Sequence, residues 1–175
     1  LGERWDPVER ASLERRLGEA LFRIGRHEDA LERLHNALRL IGQPRPTSPF
    51  GVRLAILGHC LRQAWHHLLH RRYERRDSAT SARDVERLRC FVALGWIDFW
   101  RDDEEFFLDV LSGLNWAERS GIRPAVAQGM SGLAVACDVL GLAWLAARYH
   151  QRAVTAADAL GDGGRSRRPG WPRLG

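Results

Sequence analysis

Glycine and proline cut the chain into helix-length stretches, and within each stretch apolar residues recur at intervals of three and four. That is the period of a helix, and it leaves little room for sheet. Asp6-Pro7-Val8-Glu9 supplies a capping side chain, a proline at the first helical position and a carboxylate in the first turn. The first helix is expected to run to about Gly25 and to bury Leu13, Leu17, Ala20, Leu21 and Ile24. A second, from near His27 to Ile41, buries Ala30, Leu31, Leu34, Ala37, Leu38 and Ile41 before Gly42 stops it. After a link broken by Pro44, Pro46 and Pro49, Ser48 caps a third helix reaching about Arg76, with Leu54, Leu57, Leu61, Ala64, Trp65 and Leu68 on its apolar face. Asp77 to Thr80 form a polar break, and Ser81 with Asp84 opens a fourth helix to about Arg101. A fifth follows the acidic turn Asp102 to Glu105 and ends near Gly121. Pro124 opens a sixth that stops at Gly141, and a seventh covers about Leu142 to Leu160. The expectation is an all-α fold of about seven helices in antiparallel pairs.

Composition narrows the class. At 175 residues with 45% apolar and 28% charged residues, the chain has the balance of one globular domain or one stretch of a repeat array. No run of eighteen uncharged apolar residues occurs, and Leu1 to Arg10 is charged, so neither a membrane span nor a secretory leader is read. Cys60, Cys90 and Cys137 lie far apart among apolar neighbours and read as core thiols of a reducing, cytoplasmic setting. Because the chain starts at Leu1 and not at methionine, it is expected to be a piece of something longer. All 27 basic residues are arginine, so every positive charge is a planar fork suited to carboxylates and phosphates. Net charge is +6 over residues 1–90, −4 over 91–160 and +3 beyond, which favours an acidic partner for the first half.

Laid over one another at a fixed period, the segments repeat. Residues 11 to 44 carry Leu17-Gly18, Leu21, the turn glycine Gly25, Ala30, Leu34, Ala37 and Pro44, and this run closely resembles a tetratricopeptide repeat. Residues 127 to 160 match again through Leu133-Ala134, Gly141, Ala146 and Ala153. Residues 88 to 121 keep Leu94-Gly95 but put Phe106 and Phe107 where the family has a small residue, and Glu14 stands where it has an aromatic. The resemblance spans residues 11 to 160 with the third helix as an extra element. It implies a tetratricopeptide-like α-α superhelix over residues 1–160, with residues 48–76 as the extra helix, while residues 161–175, rich in Gly, Arg and Pro and without periodic apolar residues, are expected to be a disordered tail. The Gly, Arg and Pro content of that tail also fits an out-of-frame reading of GC-rich coding sequence. Arg39-Leu40-Ile41-Gly42-Gln43-Pro44, followed by the proline-broken link, is similar to the repeat region of large bacterial signalling regulators. In those proteins such repeats are joined to an AAA or STAND-type ATPase with a cyclase, kinase or DNA-binding output.

The resemblance implies a non-catalytic protein-protein interaction module that binds on the concave surface made by the first helix of each pair. Arg15, Arg16, Glu19, Phe22 and Arg23 would face that groove from the first pair, and Trp96, Phe99 and Trp100 from the middle one. The competing reading packs those aromatics against the third helix. The partner would be a protein, a peptide or another module of the parent chain. A cut array would also expose leucine and alanine on the seventh helix and self-associate. The alternative function is a basic helical nucleic-acid-binding module, which has charge in its favour but no recognisable recognition helix or stacking platform.

The remaining motifs weigh against chemistry. His59, His66 and His70 share a face, but arginines flank them and no acid or cysteine completes a metal site, so a solvated basic face is expected and no metal. The third helix is not assigned to a membrane surface, since its apolar side is expected to cover neighbouring helices. Asp102-Asp103-Glu104-Glu105 lacks the alternation of a calcium loop. Gly129-Met130-Ser131-Gly132 misses the nucleophile-elbow pattern, and Gly161-Asp162-Gly163-Gly164 precedes neither a lysine nor a helix. No cofactor and no enzymatic activity are therefore expected.

Overall fold

A computed structural model describes residues 5–68 and 81–165 of the chain. Its order is α1 (Pro7–Arg23), α2 (His27–Leu40), α3 (Pro49–Leu68), α4 (Ala82–Asp98), α5 (Asp103–Ser120), α6 (Arg123–Val139) and α7 (Ala143–Arg165). All of the described secondary structure is helical. The helix starts follow the caps. Asp6 Oδ1 accepts from Val8 N at 3.3 Å, Ser48 Oγ from Gly51 N at 3.1 Å, and Ser81 Oγ from Asp84 N at 3.2 Å. Asp102 Oδ1 accepts from both Glu104 N and Glu105 N at 3.0 Å. The turn of the middle hairpin, residues 99–102, contains no glycine, whereas a glycine follows each of α1, α2, α5 and α6. Gly25, Gly42, Gly121 and Gly141 sit at φ between +68° and +82°, a region that a side chain at Cβ disfavours.

Packing runs in one row. Hairpins α1–α2, α4–α5 and α6–α7 each pack internally, the first meets the second through α4, and the second meets the third through α5 and α6. No packed pair among the described residues joins the first hairpin to the third. Accordingly the core divides in two. One cluster centres on Leu34, Leu38, Phe91 and Leu94, the other on Leu114, Leu133, Cys137 and Tyr149. Small residues set the crossings: a Cβ on Gly18 would lie 3.0 Å from Leu34 Cγ, and one on Gly129 would lie 3.1 Å from Leu114 Cα. In the middle hairpin the size pattern is reversed and still complementary, because Phe106 lies over Gly95.

Three expectations change. α1 buries Ala11, Arg15 and Gly18, whereas Leu13, Leu17, Ala20 and Ile24 are exposed. The close crossing demands small side chains on the inner face, so the leucine stripe is turned outward. In α3 the face against α5 carries Val52, Ile56, His59, Cys60 and Gln63, while Leu54, Leu57, Leu61, Ala64 and Trp65 are exposed. α7 passes the expected stop at Gly161 and runs to Arg165. Among its described side chains the exposed apolar surface is Trp144 and Val154 with Ala143, Ala147, Ala157 and Ala159. The expected end of the third helix at Arg76, the polar break Asp77–Thr80, His70 and the tail 166–175 lie outside the described residues.

Candidate functional site

Because α4 and α6 stand on either side of α5 without packing as a pair of their own, a groove of about 1020 Å³ opens between them. Its walls are Val85, Leu88, Val92, Trp96 and Phe99 on α4 and the turn after it, and Ala125, Gln128, Gly132 and Val135 on α6. Asp109, Val110 and Gly113 of α5 form the floor, and Glu19, Phe22 and Arg23 of α1 close one rim. The volume sits at the top of the ~300–1,000 Å³ range of small-ligand clefts.

Five of the eight residues expected at a groove are brought together here: Glu19, Phe22, Arg23, Trp96 and Phe99. Trp96 is 62% exposed and stands free of α3, which packs on α5 instead. Phe99 is half-buried, edge-on to Phe106 with ring centroids 5.2 Å apart. Trp100 stacks edge-on against Phe99 at 4.9 Å but lies outside the lining, as does the exposed Arg16. Arg15 is a correction. Its side chain is 8% exposed, donating from Nε to Glu86 at 2.6 Å and from Nη1 to Glu19 at 2.5 Å, so it fastens α1 to α4 and is not offered to a ligand. Burial opposes its charge, yet the two carboxylates hold its pKa above the ordinary arginine value.

Of the arginines in the lining, Arg23 makes no ion pair among the described residues, and Arg89 is exposed with only a 3.7 Å approach to Glu86. The acids present are already engaged: Glu19 by Arg15, and Asp109 from below. The net charge offered to an occupant is positive.

Beneath the floor lies a polar cluster that hydrophobic periodicity does not reveal. Arg45, from the α2–α3 link, inserts between α4 and α5 and contacts Asp98 at 3.2 Å, Glu105 at 2.5 Å and Asp109 at 2.9 Å. Arg101 holds the other side of Asp98 at 2.7 Å. Burial, with Asp98 alongside, pushes the Asp109 carboxyl well above the usual carboxylate range even though Arg45 pulls the other way. His35 is pushed down to about 4 by burial and then by Arg45. A third inserted arginine, Arg87, lies over the Trp116 ring at 3.8 Å and donates to the Ile41 carbonyl at 2.9 Å, capping the end of α2. The isolated acids in Ile97-Asp98-Phe99 and Leu108-Asp109-Val110 were the available signal for these ties.

His59 does not lie on a solvated face. Its ring meets Ser112 Oγ at 3.2 Å and Asn115 Nδ2 at 3.0 Å, and burial followed by Arg62 lowers its pKa. Among the described residues no three His, Cys, Asp or Glu side chains gather in a way that could hold a metal ion. The thiol of Cys90 is pushed up to about 12 by burial, which makes it a poor nucleophile. Among the described residues no helix is long and apolar enough to cross a membrane. In comparisons with known proteins the chain matches no family model, no curated protein and no solved structure.

Proposed function

We propose that this chain is a non-catalytic protein-docking module of tetratricopeptide type, serving a larger bacterial signalling regulator in the cytoplasm. The observation that carries the reading is the groove across three successive first helices, α1, α4 and α6, with the exposed Trp96 and half-buried Phe99 on one wall and unspent arginine at the rim. Phe22, Trp96 and Phe99 offer anchoring surface for an apolar side chain, and Arg23 and Arg89 offer forks for a carboxylate. The fitting ligand is a peptide segment with an apolar anchor next to acidic residues.

Selection from a phage-displayed random peptide library, followed by titration of tryptophan fluorescence, tests this. Enriched peptides should carry that pattern, and Trp96→Ala and Arg23→Glu should each weaken their binding more than about tenfold. An anchor-dominated complex should lose little affinity as salt rises. Binding of a single-stranded oligonucleotide whose affinity collapses with salt, with no peptide enriched, would refute the docking reading in favour of nucleic acid.

A further inference from the structure

α3 carries apolar residues on two faces, and only one is used. Val52, Ile56, Cys60 and Gln63 face the interior, whereas Phe50, Leu54, Leu57, Leu61 and Trp65 form a continuous outward stripe, each 55–77% exposed. Their spacing of four, three, four and four keeps them in line along about 24 Å of helix. Further hairpins stacked on α1 or α7 would extend the row at its ends, while this stripe points away from its middle helix, α5.

About the point between residues 57 and 58 the stripe is mirrored at its ends, while at its centre Leu57 falls opposite Gly58. An aromatic ends it on both sides (Phe50 and Trp65), a leucine comes next on both sides (Leu54 and Leu61), and Gly51 is mirrored by Ala64. At the centre Gly58 is exposed, and a Cβ there would meet nothing within 4 Å. A two-fold interface brings residue i onto residue j and j onto i, so mirrored positions must be complementary, and the pairs 50/65 and 54/61 are apolar at both members. We infer that the outward face of α3 is the contact by which two copies of this chain pair, antiparallel and in register, with Gly58 at the dyad letting the helices approach. Leu54 then lies on the second copy's Leu61, Leu57 on its Gly58, and Phe50 on its Trp65.

Charge permits the pairing. The mirrored cations are Arg53 and Arg62, but Arg53 is held two-pronged by Glu104 at 3.0–3.2 Å, and Asp103 is exposed in the same turn. Arg62 of the second copy therefore approaches an acidic turn and not a bare cation. The same turn, held to α3 through Arg53, disfavours an anionic lipid surface as occupant. From the fractional exposures, the five side chains offer roughly 500 Å² per copy, which places the pair at the small end of specific interfaces and makes it concentration-dependent.

Sedimentation equilibrium of the 175-residue chain over about 1–100 µM tests the inference. The mass should rise towards twice 19.9 kDa. Leu57→Glu and Leu61→Glu should each weaken association at least tenfold with far-ultraviolet circular dichroism unchanged, because both side chains are exposed in the single chain. Under mild oxidation Leu57→Cys should give a disulfide-linked dimer, while Phe50→Cys and the parent chain should not. A monomer throughout that range overturns the inference, whether or not it co-sediments with phosphatidylglycerol vesicles or binds an acidic helical peptide. So does growth beyond a dimer, or linkage of Phe50→Cys to itself, which a parallel pair would give.

Discussion

Replacing Arg45 by methionine should destabilise the fold by an amount that grows with pH. The methionine retains most of the stem and removes the charge, so the carboxylates around it decide the cost. Asp98 keeps Arg101 at 2.7 Å, and Glu105, with its side chain 23% exposed, can turn to water. Asp109 is fully enclosed and has no other cation within ion-pair distance among the described residues. Its carboxyl titrates higher in the folded chain than in the unfolded one. Below the unfolded value, about 3.9, it is neutral in both states and Arg45 has nothing to neutralise there. Above that value the unfolded chain gains stability by ionising, and the folded chain follows only with the help of Arg45. The loss on removing Arg45 should therefore be about 1 kcal/mol at pH 4 and about 3 kcal/mol at pH 7.5, below the upper limit for breaking a fully buried pair. His35 acts in the same direction, because Arg45 disfavours its protonation, and removing Arg45 relieves the folded chain at acid pH. Urea unfolding followed by circular dichroism at pH 4, 5.5 and 7.5 measures the difference. Asp109→Asn added to the methionine variant should recover most of the loss at pH 7.5. A loss that is the same at all three pH values would refute the electrostatic account and assign the effect to packing of the stem.

Arg15→Ala should cost about 2–4 kcal/mol, since it leaves the buried Glu86 with only the longer 3.7 Å approach of Arg89, and hydrogen exchange should speed up in α1 and α2 before α5 and α6. Gly18→Ala should cost about 1–2 kcal/mol in the same unfolding assay, because the new methyl meets the Ala30 carbonyl oxygen at 3.1 Å and that backbone cannot swing aside. Trp96→Ala should leave the melting temperature within about 2 °C while abolishing peptide capture, whereas Phe99→Ala should also cost about 1–2 kcal/mol through its contact with Phe106. His35→Phe should flatten the acid side of the stability profile. Stability stored in the neutral ring is complete above pH 6.5 and is lost as the pH falls from there towards about 4.

Helix positions were legible because their signals are local. Asp6, Ser81 and Asp102 cap where their side chains sit next to a free amide, and Gly25, Gly42, Gly121 and Gly141 reverse the chain where a Cβ would be strained. Which face turns inward is a property of neighbours. α1 has a leucine stripe and a small-residue stripe, and the proximity of Leu34 selects the small one. α3 has two apolar faces, and the match of His59 and Gln63 to Ser112 and Asn115 selects the weaker. Grouping of Phe22, Arg23, Trp96 and Phe99 was what the family resemblance implied, which sets residues of successive first helices along one groove. Arg15 could not be separated from Arg16 that way, because one step around the helix divides a buried tie from an open charge and only the position of Glu86 decides which is which.

α5 has Phe106 and Gly113 turned towards α4 and Ser112 and Asn115 turned towards α3, so it is a shared partition. Whatever lies in the cleft in front of it leaves the surface behind it untouched. Two chains joined back to back would hold their clefts facing opposite ways, like a double-sided bracket. Ligands bearing the docking segment twice would gain by bridging such brackets in alternation, building an extended chain of linked molecules in place of a closed pair.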